Sequence, residues 1–171
     1  RPPDSGVLMA ADGLVEVWDQ VYHILDAAVG GSLPVGCAVT QDVYNSIPDE
    51  VDRARRSFPQ VSVFYVHDTV IQEVRPVASS NTEREFTTLF VACVARSTAG
   101  SVDAAKEAIA LADAVKRIIR ENRGLHYDGR CAGERASCRG VSLRVRQDVA
   151  ERAWYAIAAV RVDVLNSRTG V

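Results

Sequence analysis

Residues Glu85 to Arg96 form a run in which both alternating sets are apolar. In an extended chain Phe86, Phe90, Ala92 and Val94 point one way, and Leu89, Val91, Cys93 and Ala95 point the other. A strand without a polar face belongs at the centre of a sheet, covered on both sides. The chain must therefore supply flanking strands and at least one helical layer. Its 171 residues suffice for one such domain, and 47% apolar with 25% charged residues is an ordinary globular composition. The longest uninterrupted apolar stretch, Ala153 to Val160, falls far short of the roughly 20 residues that span a bilayer. No transmembrane helix and no membrane partner are expected, and Arg1 to Gly6 lack the apolar core of a signal peptide.

Around that strand the other elements take their places. Leu14, Val17, Trp18, Val21, Leu25 and Ala28 recur at helical spacing, which predicts a helix over 14–29 with Asp12 as N-cap and Gly30-Gly31 as its end. Leu33 to Val39 is a short apolar segment, and Pro48 to Arg56 could form a short helix. Gln60 to Val66 and Thr69 to Val77 alternate and are rich in β-branched residues, which predicts a hairpin with His67-Asp68 at its turn. A second long helix, capped by Ser101, runs to about Arg123, with Ala104, Ala108, Leu111, Val115, Ile118 and Ile119 on its buried side. Lys116, Arg117, Arg120 and Arg123 suit the negative end of its dipole. Leu125 to Gly140 is a long Gly-, Arg- and Ser-rich connection. From Gly140 to Val149 the pattern sets Val141, Leu143 and Val145 inward and Ser142, Arg144 and Arg146 outward. Trp154 to Leu165 is a long final strand, expected at an edge of the sheet, whose apolar face, with few charges to protect it before Arg161, favours burial against neighbours. The fold class is thus α+β: a single mixed or antiparallel sheet with two long helices packed on it, in the order helix, hairpin, strand, helix, strand, strand. Residues 1–11 read as an N-terminal arm, 12–166 as one domain and 167–171 as a C-terminal tail.

Twenty basic and 22 acidic residues leave a net charge of −2, which argues against a strongly basic nucleic-acid binder. The distribution is uneven. Residues 116 to 146 hold nine Lys or Arg against three acids, a local net of +6, and the remainder carries −8. Such a segment is either a solvated face or a contact surface for an acidic partner chain. DNA backbone is a weaker option, because no aromatic residues interleave to stack bases. Cys131 and Cys138 bracket a polar loop and could form a local disulfide, while Cys93 lies in an apolar run and reads as a small core residue. His126, Cys131 and Cys138 lack the spacing and the fourth ligand of a zinc site. Gly-x-Ser-x-Gly, Walker and dinucleotide-binding motifs are absent from the sequence. His23, His67 and His126 have no nucleophile or carboxylate placed to form a triad. No catalytic residue, metal or cofactor is expected.

The order of these elements resembles that of the tail terminator and tail-completion proteins of long-tailed bacteriophages. The stretches that carry the likeness are Leu14-Val15-Glu16-Val17-Trp18 through Gly30-Gly31, Phe58-Pro59-Gln60-Val61-Ser62-Val63 and Glu85-Phe86-Thr87-Thr88-Leu89-Phe90-Val91. They continue in the helix over 103–124 and in the strand from Trp154 to Leu165. It is a likeness of layout, without a diagnostic motif.

The resemblance implies a structural virion protein, assembled in the host cytoplasm and not an enzyme. It would form a six-membered homo-oligomeric ring on the head-proximal end of the tail tube. Its partners would be further copies of itself, the tail tube protein and the neck or head-completion protein, with DNA only passing through the lumen. Candidate contact residues, chosen for charge and loop position, are Arg53, Arg55, Arg56, Arg130, Arg135, Arg139, Arg144 and Arg146. Two alternatives stand beside it. One is another phage neck or tail-tube subunit. The other is a small cytosolic α+β enzyme or ligand-binding module, which would need a pocket with converging polar groups.

Overall fold

A computed structural model describes residues 13–44, 57–66, 69–78, 81–127, 130–131 and 135–169. The fold is α+β, as the pattern predicts. Two helices, α1 (Leu14–Ala27) and α2 (Ser101–Glu121), accompany a six-stranded mixed sheet. Its strands are β1 (Ala38–Tyr44), β2 (Gln60–Val66), β3 (Gln72–Pro76), β4 (Thr82–Ser97), β7 (Arg135–Asp148) and β8 (Ala153–Thr169). Two short strands, β5 (His126–Tyr127) and β6 (Arg130–Cys131), pair with each other. The main sheet runs β1-β2-β4-β8-β7, and β3 also pairs with β4. All neighbours are antiparallel except β1 and β2.

β4 takes the central place its composition demands. It pairs with β8 along all its sixteen residues, and Val91 to Ala95 are buried on both faces. The odd-numbered set joins the larger core beneath the helices, together with Val61 and Val63 of β2 and Ala156, Ala158, Val160, Val162 and Val164 of β8. The even-numbered set joins a smaller cluster of Phe64, Ala92, Val94 and Ile157 on the opposite face. Each fully buried Val or Leu in such a core contributes roughly 1.5–3 kcal/mol.

Four expectations need correction. First, Gln60–Val66 and the strand after His67-Asp68 are not a hairpin. β2 and β3 lie in succession along the same edge of β4, with Phe64 opposite Phe90 and Gln72 opposite Thr87. β2 is buried from Gln60 to Tyr65 and needs the central neighbour, whereas β3 is mostly exposed. The hairpin is instead β3–β4, closed by Val77 N–H donating to the Thr82 carbonyl at 2.9 Å. Second, the final strand is not an edge. Tyr155 to Val160 are buried without a break, and β8 lies between β4 and β7 and runs on to Thr169, into the expected tail. Third, the connection from Leu125 to Gly140 is largely strand, containing β5, β6 and the first residues of β7. Fourth, neither helix starts at its predicted cap. α1 begins after Gly13 and α2 after Gly100, neither with a side-chain cap, and Ser101 is already helical. No strand is predicted at β1, which adds a parallel edge to β2. The arm over 1–11, the segment 48–56, Asp12 and the turn His67-Asp68 lie outside the described residues.

The helices divide one face of the sheet between them. α1 docks on β1 and β2. The Trp18 indole N–H donates to the Val63 carbonyl at 2.8 Å, the Tyr65 hydroxyl to the Leu14 carbonyl at 2.7 Å, and Gln41 Nε2 to Asp19 Oδ1 at 2.8 Å. Burial and the nearby Asp19 charge push the Tyr65 phenol well above its ordinary range, so it stays a donor. α1 ends in a turn where Gly30 takes φ +82°, a left-handed value that a side chain would strain. α2 starts just past the Ser97 end of β4 and ends beside the start of β7, where Ala136 N–H donates to the Arg123 carbonyl at 2.7 Å. It therefore crosses the sheet obliquely.

Candidate interface

The oblique course of α2 divides β7 into two unlike halves. From Arg135 to Cys138 the strand is seated against the helix, and Ala136 is 2% exposed. From Gly140 to Gln147 every residue is exposed. Val141, Leu143 and Val145 keep 43%, 45% and 40% of their surface in contact with solvent. Their partners across the strand pair, Val160, Ala158 and Ala156, are entirely buried. The three aliphatics do point to the core-facing side, as the alternation predicts, but neither α1 nor α2 covers that corner. The prediction that they are inward is therefore right about the face and wrong about the cover.

A bulge sets this arrangement. Cys138 pairs with Val162 and Gly140 with Arg161, so Arg139 is an extra residue in β7. Before it the even positions Ala136 and Cys138 lie on the core face, and after it the odd positions 141, 143 and 145 do. Were Arg139 paired in regular register instead of bulged, Gly140, Ser142, Arg144 and Arg146 would occupy that face. The opposite face of this half carries Ser142, Arg144 and Arg146, beside Ala159, Ile157 and Tyr155.

Among the described residues the outer edge of β7 has no strand partner. The opposite margin is better protected. β3 carries Pro76, which donates no hydrogen bond to a ladder, and the Glu73–Arg75 ion pair, with Arg75 Nε 2.8 Å from Glu73 Oε1.

The predicted contact residues are distributed over three settings. Arg135 is exposed at the start of β7 on the face opposite Ala136, Arg144 and Arg146 are exposed on the second half, and Arg139 is the bulged residue. Arg139 Nε sits 3.5 Å from Asp163 Oδ2, and Asp163 also receives Thr88 Oγ1 at 2.9 Å and pairs with Arg161 at 3.0 Å. Arg139 is thus engaged within its own chain. Arg53, Arg55 and Arg56 lie outside the described residues, and of Arg130 only the backbone, in β6, is described. What sequence reasoning missed is a groove between α2 and the start of β7, lined by Lys116, Ile119, Arg120, Arg123, Arg135, Ala136, Ser137 and Cys138. The helical residues were visible as a basic face, but Arg135 was placed in a loop.

The remaining candidate groups have structural settings. Cys37, Cys93 and Cys138 are free thiols, so the local bridge from Cys138 to Cys131 is not formed. Burial raises the Cys37 thiol to about 11 and pushes Cys93 higher still. The His23 ring stacks on Tyr127 with centroids 5.0 Å apart and meets Tyr22 edge-on, joining α1 to β5. Among the described residues no group of three or more His, Cys, Asp or Glu could hold a metal ion, and no helix is long and apolar enough to cross a membrane. Compared with known proteins, the chain matches no family model and no curated protein.

Proposed function

We propose that this chain is a structural assembly subunit, a tail terminator of a long-tailed bacteriophage. Copies would join edge to edge into a ring of about six that caps the head-proximal end of the tail tube and meets the neck proteins. The observation that carries the reading is the free half of β7. Three aliphatic side chains are exposed together over Gly140–Gln147, on a strand whose outer side has no strand partner among the described residues. Exposed edges of this kind are templates for pairing with another chain. A ring also requires a head-to-tail contact between two different surfaces of each subunit. The β7 edge and the opposite margin formed by β1 and β3 differ in this way, in both composition and charge. Arg144 and Arg146 would add charge selectivity to an apolar contact. The resemblance of layout supplies the phage assignment, and with it a place in the virion at the tail–neck junction.

The test is to add purified protein to tail tubes growing in vitro and to measure tube length and end structure by electron microscopy. Capped, shortened tubes with a ring at one end are expected. Long tubes made of this protein alone would make it a tube subunit. A protein that neither binds tubes nor affects their length would remove the assignment.

A further inference from the structure

We propose that the free half of β7 is taken up by β1 of the next copy of this chain, antiparallel and in one register, with Gly140 opposite Tyr44 and Arg146 opposite Ala38. The inference rests on the ring reading above and names the strand, the direction and the residues of its contact. Among the described residues β1 and β7 are the two ends of the sheet path, each paired on one side only. β3 shares the β1 margin but is shielded by Pro76 and by the Glu73–Arg75 pair, which leaves β1 as the strand of that margin open to a neighbour.

Ring closure sets the direction. Every step around a closed ring is the same rotation, so the helices of all copies lie on one side of the joined sheet and the strand order runs the same way round. With those two held, strand direction is held as well. Within one copy β7 runs against β8, β8 against β4 and β4 against β2, while β2 runs along β1. β7 therefore runs opposite to β1, and the two meet antiparallel across the junction.

Length and composition set the register. β1 has seven residues, Ala38–Tyr44, and they match the stretch from Gly140, the first residue after the bulge, to Arg146. Full overlap puts Val141 opposite Val43, Leu143 opposite Gln41 and Val145 opposite Val39. A slip of two residues either way leaves Val145 or Val141 beyond the end of β1, and a slip of one would set the aliphatic stripe against the wrong face. The charges agree. Ala38–Tyr44 contains Asp42 and no basic residue, and Gly140–Arg146 contains Arg144 and Arg146 and no acid. In this register Asp42 stands opposite Ser142 and diagonal to Arg144. α1 docks on β1 and β2, and Gln41, on the core-facing side, donates to Asp19. The junction thus brings the uncovered stripe beside a helix of the next copy, the second layer that α2 does not supply.

The experiment is cysteine cross-linking of the full chain, with the assembly of parent and variants followed by light scattering. Val39→Cys combined with Val145→Cys should link into covalent multimers up to the ring, read on a denaturing gel, with the linkage between positions 39 and 145 mapped by mass spectrometry. Val39→Cys combined with Val141→Cys, the pair a parallel junction would bring together, should link about tenfold less, because antiparallel pairing holds those positions four residues apart. A charge exchange tests the same junction without cysteines, should Val39→Cys loosen the fold. Asp42→Arg should raise the concentration needed for assembly about tenfold, and adding Arg144→Asp should bring it back. An assembled parent whose variants link two β7 strands, link 39 to 141 as readily as to 145, or ignore Asp42→Arg would overturn this pairing and leave the ring standing. A parent that stays monomeric throughout would remove both.

Discussion

The two halves of β7 pair with the same neighbour, in the same sheet, across one bulged residue, and their surroundings could hardly differ more. The first half lies under the end of α2, where Ala136 is almost wholly buried. The second carries a longer aliphatic stripe, Val141, Leu143 and Val145, and leaves it in water. Apolar content does not explain which half is buried. The path of α2 does, because the helix runs from the Ser97 corner to the Ala136 corner and leaves the Gly140–Gln147 corner open. Burial is thus decided by a second layer, and an uncovered stripe kept on the core-facing side by a bulge is a surface suited to another chain.

The comparison can be broken most forcefully at the seated half. Ala136→Asp places a carboxylate under α2 and should cost roughly 3 kcal/mol or more. Chemical denaturation is the measure, and a loss below about 1 kcal/mol would mean that this half is not seated as described. Deleting Arg139 comes next. It removes the bulge while keeping Val141, Leu143 and Val145 opposite Val160, Ala158 and Ala156, so by chemical denaturation and light scattering it should cost roughly 1–3 kcal/mol for straightening the strand and leave self-association intact, and loss of assembly in a folded variant would contradict this. Replacing Val141, Leu143 and Val145 together by Ser should change monomer stability by no more than about 1 kcal/mol per site, because each side chain is already substantially solvated. Arg139→Gln, which removes an exposed pairing to Asp163, should cost no more than about 1 kcal/mol in the same assay.

Thiol reactivity sharpens the contrast between strand interior and strand margin. With its thiol raised to about 11 from an ordinary 9, Cys37 holds roughly a hundredfold less thiolate at pH 8 than an unperturbed cysteine, and Cys93 holds less again. Both should resist iodoacetamide in the native state, while Cys138, half-buried beside the groove, should be modified ahead of them. The sign follows from burial disfavouring the charged form, so Cys37 reactivity should rise only as pH approaches 11 and Cys93 should lag behind it. Mass spectrometry of digested protein gives the order of labelling.

Much of the architecture could be read from sequence because the largest signals were periodic. β4, β8, α1 and α2 each announce themselves by an unbroken apolar repeat. β1 did not, since Thr40, Gln41 and Asp42 interrupt its apolar residues and its stability comes from the parallel partner β2. The start of β7 was hidden by the bulge, because Ala136 and Cys138 are out of phase with Val141, Leu143 and Val145. Reading the strand from Gly140 therefore left Arg135 in a loop and the groove unseen. Pairing order was equally hidden, and β2 and β3 were joined as a hairpin because adjacency in sequence is the stronger prior. For the candidate interface, the alternation of β7 fixes which face its side chains take and is silent on whether a helix covers them.

The most direct measurement is the solution mass of the parent chain and of the Val141→Ser, Leu143→Ser, Val145→Ser variant, by light scattering over a range of concentrations and salt. The account predicts that the parent assembles into a closed ring of about six, alone or on tail tubes, while the variant stays folded and monomeric. A parent that remains monomeric throughout, or a variant that assembles as well as the parent, would contradict it.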